Sequence, residues 1–314
     1  MGTESRWKNL RRDFDPTIKE LKFTITRVKK SPLSILGIVV IILFAVIAIS
    51  APILAPPPEG WRDNFKVPTW PLGTLNAPPA PPSPGAPFGT VQAYNIYYAC
   101  IWGTITAFRI GIIVVAGTLT IGIGIGTLSG YYAGAIDELL MRFTDIIIAF
   151  PGLLLAMALV ATLGPSMESI MFALILVGWP SYARVIRGEI LKVRNEDYVE
   201  AAKAIGCSDF RVITKHILPN SIYSIIIMAS LDIGSIVLSA AALSFLGLGP
   251  PTGYADWGQF INLSRPFIYK NPVDPLGYWW TWTIPGIFIF TFVLGWNLLG
   301  DAFRDIFDPT IRRR

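Results

Sequence analysis

Few residues in this chain are equipped for chemistry. It has one histidine, His216, and two cysteines, Cys100 and Cys207, with no CxxC pair, so a metal or redox centre has little to be built from. His216 has no second histidine and no evident serine or cysteine partner, and a hydrogen bond at a helix end near Pro219 suits it better than catalysis. The sequence contains no GxxxxGK followed by Ser or Thr, so the phosphate cradle that ATP hydrolysis needs is absent. No catalytic residue, cofactor or metal is expected. Asp232 stands out because it interrupts a long apolar run, where an ionisable group is expensive. Two readings of it stay open: contact with a cationic part of a substrate, or a structural carboxylate hydrogen-bonded to a neighbouring helix. Glu138, Arg142 and Asp145, at i, i+4 and i+7, read as an ion-pair ladder along one helix.

The richest polar stretch runs from Arg187 to Asn220, with NEDYVEAAKAIGCSDFRVITKHILPN at its core. Asn195 can cap a helix whose first turn holds Glu196 and Asp197, which suits the helix dipole. Gly206 can end that helix, and Ser208 can cap a second short one that stops at Pro219. The expected product is a helix–turn–helix outside the bilayer that exposes Val199, Ala201, Ala202 and Ile205. A short exposed helix with small residues on one side suits docking into a groove on another protein. The candidate docking residues are Tyr198, Glu200, Ala201, Ala202, Gly206, His216 and Pro219.

The elements that position these residues are membrane spans. Hydrophobic residues make up 53% of the chain and charged residues 15%, and the mean hydropathy is +0.53. The apolar residues cluster in runs of 18 or more, which points to lipid as the solvent. The first run covers Pro32 to Leu54, too long for the core of a cleaved signal peptide and preceded by too long a charged segment. Five more follow: Thr104 to Gly130, Ile136 to Leu163, Ser169 to Ile190, Ser221 to Leu248 and Trp279 to Gly300. Pro151, Pro180 and Pro285 fall inside three of them, which a bundle tolerates when neighbours satisfy the freed carbonyls. Gly122, Gly126, Gly130 and Gly134 recur every four residues and predict close backbone approach by another helix. The near-fingerprint GIGIGTLSG is not a dinucleotide loop, because Ser129 replaces the third glycine and no strand precedes it.

Charge gives the orientation. Of the 26 Lys and Arg residues, 21 fall before the first span, after the second, between the fourth and fifth, and at the C-terminus. By the positive-inside rule both termini and the Arg187–Asn220 segment are cytoplasmic. The net charge of +5 therefore marks a membrane topology, and nucleic acid is not an expected partner. This topology puts Cys100 and Cys207 on opposite sides of the membrane, which argues against an intrachain disulfide. The segment between spans one and two is rich in proline (APPPEG, APPAPPSPGAP) and is expected to be extended or loosely ordered, with no helix or ladder. Trp279, Trp280 and Trp282 suit a belt at the outer interface.

Glu200-Ala201-Ala202, Gly206 six residues after the glutamate, His216-Ile217 and Pro219-Asn220 together resemble the EAA loop of binding-protein-dependent ABC importers. The resemblance extends over most of the chain and narrows to the C-type permease of dipeptide and oligopeptide importers. Its blocks are SPLSILGIVVIILFAVIAISAPILAP, GYYAGAIDELLMRFTDIIIAFPGLLLAMALVATLGP, VGWPSYARVIRGEI, LSFLGLG with Trp257-Gly258, and NLLGDAFRDIFDP. The chain departs from the family pattern before span two, where VQAYN follows Gly89-Thr90 and Asn95 replaces an aspartate, and again at Ala240, where the family carries a glutamate.

The resemblance implies an all-α polytopic membrane protein of about six transmembrane helices, with a cytoplasmic coupling helix between spans four and five. The expected organisation is a cytoplasmic segment 1–31, an N-terminal transmembrane helix 32–55, an external proline-rich loop 56–103, a permease domain 104–303 with its coupling loop at 195–220, and a cytoplasmic tail 304–314. The implied partners are a second homologous permease, two cytoplasmic ABC ATPases, an external substrate-binding protein and membrane lipid. The implied function is non-catalytic: translocation of peptides across the cell membrane by alternating access driven by the ATPases. Relatives of this type also import oligosaccharides, nickel chelates and other small solutes. An ion-coupled secondary transporter is a distant alternative that would want several mid-depth acids and leaves the EAA-like loop unexplained.

Overall fold

A computed structural model describes residues 31–71, 77–270 and 276–307. The N-terminal segment 1–30 and the tail from 308 onward, both expected to be cytoplasmic, lie outside the described residues. Helix α1 spans Pro32–Ile49, started by Ser31, whose Oγ accepts from the backbone N–H of Ser34 at 3.3 Å, with a proline in the first turn. A four-residue helix, α2 (Ala51–Leu54), continues it. Helix α3 (Ile96–Tyr132) is 37 residues, about 55 Å at 1.5 Å per residue, and begins eight residues before the apolar run does. Asn95 sets that start: its Oδ1 accepts from Tyr98 N–H and its Nδ2 donates to Gly85 O at 3.1 Å. The family aspartate is missing, yet its replacement still caps the helix.

The run from Ile136 to Leu163 folds as two helices, α4 (Gly134–Ile148) and α5 (Gly152–Leu163), bent by 83° around Pro151. Proline and the glycine after it end the hydrogen-bond ladder rather than merely kinking it. Helix α6 (Met167–Val193) carries Pro180 without a break. Among the described residues five helices are long and apolar enough to cross a membrane, or six if the bent pair counts as one span.

The glycine stripe brings α3 onto α6. A Cβ at Gly122 would stand 2.5 Å from Tyr182 Cβ, at Gly126 2.6 Å from Ala183 O, and at Gly130 3.0 Å from Arg187 O. Gly134 meets nothing within 4 Å and belongs to the α3–α4 turn, not to the stripe. On the far flank α11 (Trp280–Phe307) packs on α1 and α9 (Leu218–Leu243), with Gly37 against Leu298 and Gly300 against Leu231. It continues beyond Gly300, so the expected tail begins as helix.

The proline-rich segment corrects the sequence expectation. It carries a two-residue ladder, β1 (Thr90–Val91) with β2 (Tyr94–Asn95), and bridges from Lys66 to Tyr254 and Thr69 to Tyr94. Prolines cannot donate, but the residues between them can. Val67 N–H bonds Gly253 O at 2.7 Å, Ala255 N–H bonds Phe65 O at 2.7 Å, and Phe65 stacks on Tyr254. Trp280 is also corrected: it is buried in the aromatic core beneath this segment, while Trp279 stays exposed as a belt residue would.

Candidate functional site

The EAA-like segment folds as α7 (Asp197–Ala204), a turn, and α8 (Asp209–Val212). The first cap is Glu196 rather than Asn195, one residue later than expected. The turn is a Schellman closure: Gly206 N–H bonds Lys203 O at 2.9 Å and Cys207 N–H bonds Ala202 O at 3.1 Å. Gly206 sits at φ +84° with nothing within 4 Å of a would-be Cβ, so its identity answers backbone conformation and not crowding.

Pro219 does not stop the second helix. From α8 the chain passes through one π turn, Ile213–Ile217, into α9 (Leu218–Leu243), and the helical path from Asp209 to Leu248 runs through 40 residues. The wider turn makes room for the proline ring, and Asn220 Nδ2 donates to His216 O at 2.6 Å, filling a carbonyl near the bulge. His216 therefore contributes its backbone carbonyl at this junction.

The hairpin has an inner and an outer face. Val199 (0% exposed) and Ala202 (4%) are not on the outer face; they pack with Tyr131, Ile186, Ile190 and Val212. Tyr198, Glu200 and Ala201 are exposed, as are Ile205 (81%) and Phe210 (78%). Partial desolvation of the phenol, with the Glu196 charge beside it, raises Tyr198 above its ordinary range. Phe210 was missed in the sequence. Its signal was a large aromatic two residues after a helix-capping serine, with no apolar partner at i+4.

The base of the hairpin is clasped by polar contacts. Arg187 grips Asp137 through two 2.6 Å hydrogen bonds, and Ser129 Oγ donates to the same carboxylate. Arg194 Nη1 donates to the carbonyls of Gly130 (3.2 Å) and Tyr131 (3.0 Å) at the end of α3, while Tyr131 Oη donates to Asp209 Oδ1 at 2.6 Å. The ladder on α4 holds only in part. Arg142 pairs with Glu138 at 2.6 Å, but Asp145 reaches across to Arg184 on α6 at 2.5 Å.

Asp232, half-buried on α9, lines a cavity of about 240 Å³ with Tyr182, Thr118, Ser235, Ser239 and Gly152. It thus faces space enclosed by α3, α5, α6 and α9. Ala240, in place of the family glutamate, is buried against apolar neighbours. Both cysteines are free, Cys100 near the start of α3 and Cys207 in the hairpin. Among the described residues no cluster of three His, Cys, Asp or Glu side chains could hold a metal.

Residues 122–313 match the family described as binding-protein-dependent transport system inner membrane component, and residues 22–79 match the N-terminal TM domain of oligopeptide transport permease C. The chain is 38% identical, over 91% of its length and 88% of the relative's, to the dipeptide transport system permease protein DppC of Alkalihalophilus pseudofirmus. It is also 38% identical, over 90% of its length and 89% of the relative's, to a probable D,D-dipeptide transport system permease protein of Escherichia coli. Against the oligopeptide transport system permease protein OppC of Bacillus subtilis the identity is 32%, over 93% and 90%. Among solved structures, the MetNI methionine ABC transporter in an inward-facing conformation shares the fold, with a TM-score of 0.54 at 15% identity over 67% of this chain and 97% of that one. An α3–α6 core packed on glycine, a broken span beside it and an EAA-bearing hairpin at one end thus sit in a chain that belongs to the binding-protein-dependent transport family, as a multi-pass inner-membrane component of an ABC importer.

Proposed function

We propose that this chain is the non-catalytic permease subunit of an importer of short peptides, driven by ATPases that dock on the α7–α8 hairpin. The peptide assignment rests on the relatives, whose names specify dipeptides and oligopeptides. In this reading a second homologous permease completes the translocation path, two cytoplasmic ABC ATPases supply energy, and an external binding protein delivers substrate. Both termini and the hairpin face the cytoplasm, in keeping with the 21 of 26 basic residues on that side. ATP binding closes the ATPases, the hairpin moves with them, and the bundle exchanges an inward opening for an outward one. Asp232, beside Ser235 and Ser239, offers a mid-depth anion to the ammonium end of a passing peptide.

The observation that carries the docking assignment is the two-faced hairpin. Ile205 and Phe210 stand out in water while the clasp holds the base still. Apolar side chains so exposed on a rigid support are anchors for a partner's pocket. Phe210→Ala with Ile205→Ser should leave the permease at normal membrane levels and reduce co-purification of its ATPases at least about tenfold. Full retention of the ATPases by the double variant would sink the assignment.

A further inference from the structure

At the end of the bundle remote from the hairpin, α9 gives way to a second π segment, Ser244–Leu248, broken where Gly247 takes φ +88°. The chain then turns through Pro250 and Pro251 and enters α10 (Trp257–Lys270). Between the break, the turn and α10 lies a cavity of about 440 Å³, within the range of small-ligand sites. Arg265 is the one charged residue in its lining, and neither Asp nor Glu faces the space. None of the ion pairs among the described residues includes Arg265; its guanidinium lies 5.2 Å from the Phe245 ring centroid, a contact that orients it and leaves its charge unneutralised.

Glycine, proline and leucine share the rest of the wall with polar side chains, two of which are held in place. Gln259 is buried and fully engaged: Oε1 accepts from Gly253 N–H (2.9 Å) and Tyr254 N–H (3.1 Å), and Nε2 donates to Pro250 O (2.5 Å) and Pro251 O (3.0 Å). It is a strut that holds the Pro250–Tyr254 turn as one side of the cavity. On another side stands Gln92, in the tight turn between β1 and β2, where Gln92 (φ 49°) and Ala93 (φ 69°) both take left-handed conformations that side chains with a Cβ disfavour. That turn keeps an amide at the cavity when a glycine would have satisfied the backbone more cheaply.

A lone cation among amides and hydroxyls, on a pre-formed wall, selects an anion with several acceptor oxygens. Guanidinium meets carboxylate in a two-pronged fork, and Gln92 and Thr252 can donate to the remaining lone pairs. We propose that this cavity receives the C-terminal carboxylate of an incoming peptide, with Arg265 as its anion-binding and specificity-determining group. The site rests on the peptide-importer reading and adds to it an entry station on the side away from the ATPases. An acidic side chain of the binding protein is the competing occupant, and the lining argues against it: the charge lies among α10 and turn residues in a small-ligand volume instead of on a flat rim.

The test uses the complete importer in liposomes with luminal ATP, its binding protein outside, and tritiated trialanine or trialanine amide as the probe. The wild-type importer should take up the free acid faster than the amide. Arg265→Gln should lower free-acid uptake about tenfold and bring the two rates together. Arg265→Lys should keep part of the preference, because it retains the charge and loses the fork. Affinity of the binding protein for the membrane complex should stay the same in both variants. An equal fall for the two peptides, unchanged uptake of both, or a parallel loss of binding-protein affinity would each overturn the carboxylate site while leaving the importer reading intact. Absence of wild-type uptake for either peptide would instead overturn the peptide reading, and the site with it.

Discussion

At the hairpin end, Arg187 and Asp137 form a two-pronged ion pair, Arg194 binds the last carbonyls of α3, and Tyr131 bonds Asp209. At the opposite end, Phe65 stacks on Tyr254, Trp257 packs against Phe44 and Phe292, Tyr98 donates to Asn64 O in the proline-rich segment, and Trp102 donates to Ala55 O at the end of α2. The first end is assembled from directional, charge-assisted bonds that fix an angle. The second sets a turn braced by Gln259 among rings and prolines, whose contacts depend on area. On the proposed reading, a part that passes on a push needs a fixed angle, and the opposite end combines a braced cavity wall with aromatic surfaces that can re-pack.

The largest effect should come from overfilling the inner face of the hairpin. Ala202→Trp forces a large ring into a site that is closed by the protein's own core. The permease should then fail to accumulate in the membrane, as immunoblots of membrane fractions would reveal. Normal accumulation would mean that the hairpin hinges freely and that the contrast between the ends is wrong. Arg187→Gln is gentler. It leaves Asp137 with its Ser129 bond alone, in a pair that is only partly shielded from water, and should cost about 1–2 kcal/mol. Adding Asp137→Asn should restore part of the lost Tm, and failure of that rescue would remove the ion pair from the account of the clasp.

The smallest effect belongs to the other end. Burial pushes the Asp256 carboxyl up to about 6, against the backbone N–H groups of Gln259 and Gly258 that favour its ionised form. The folded protein therefore holds a proton there at pH values where the unfolded chain has lost it. The stability this group contributes is full below the ordinary carboxylate range and is lost as pH rises through about 6. Asp256→Asn keeps an acceptor for Gln259 N–H and removes the ionisation. It should raise Tm by about 2 °C at pH 8 and change it little at pH 4, in thermal melts of the purified importer. A gain of equal size at both pH values would show that packing, not charge, limits this end.

These contrasts explain which features could be read from the residues in order. The glycine stripe was legible because four-residue spacing puts missing side chains on one face, and the Schellman glycine because only one backbone shape suits it. The EAA segment was legible as a helix closed by a glycine turn but not as a two-faced one, since eight helical residues give no orientation until the core beneath them is known. Asp145 was assigned to Arg142 and instead meets Arg184, because helix rotation decides between a neighbour at i−3 and one across the groove. Pro151 was read as tolerated within a span and Pro219 as a helix stop, and each behaves the opposite way. The first lies beside a glycine and turns the chain by 83°, whereas the second is absorbed by a π turn and an asparagine amide. The proline-rich segment was misread because proline content was weighed and the aromatic residues between the prolines were not.

Absorbing Pro219 leaves the hairpin and α9 as one shaft of 40 residues, about 60 Å long, which begins in the hairpin and ends at the Gly247 break beside the Arg265 cavity. Asp232 lies on it between those two points. A shaft pivoting near its midpoint by about 10° carries each end some 5 Å, in opposite directions. On the proposed docking, this helical path would work as a rocker: a push at the hairpin end would move the far wall of the Arg265 cavity without any signal passing from side chain to side chain.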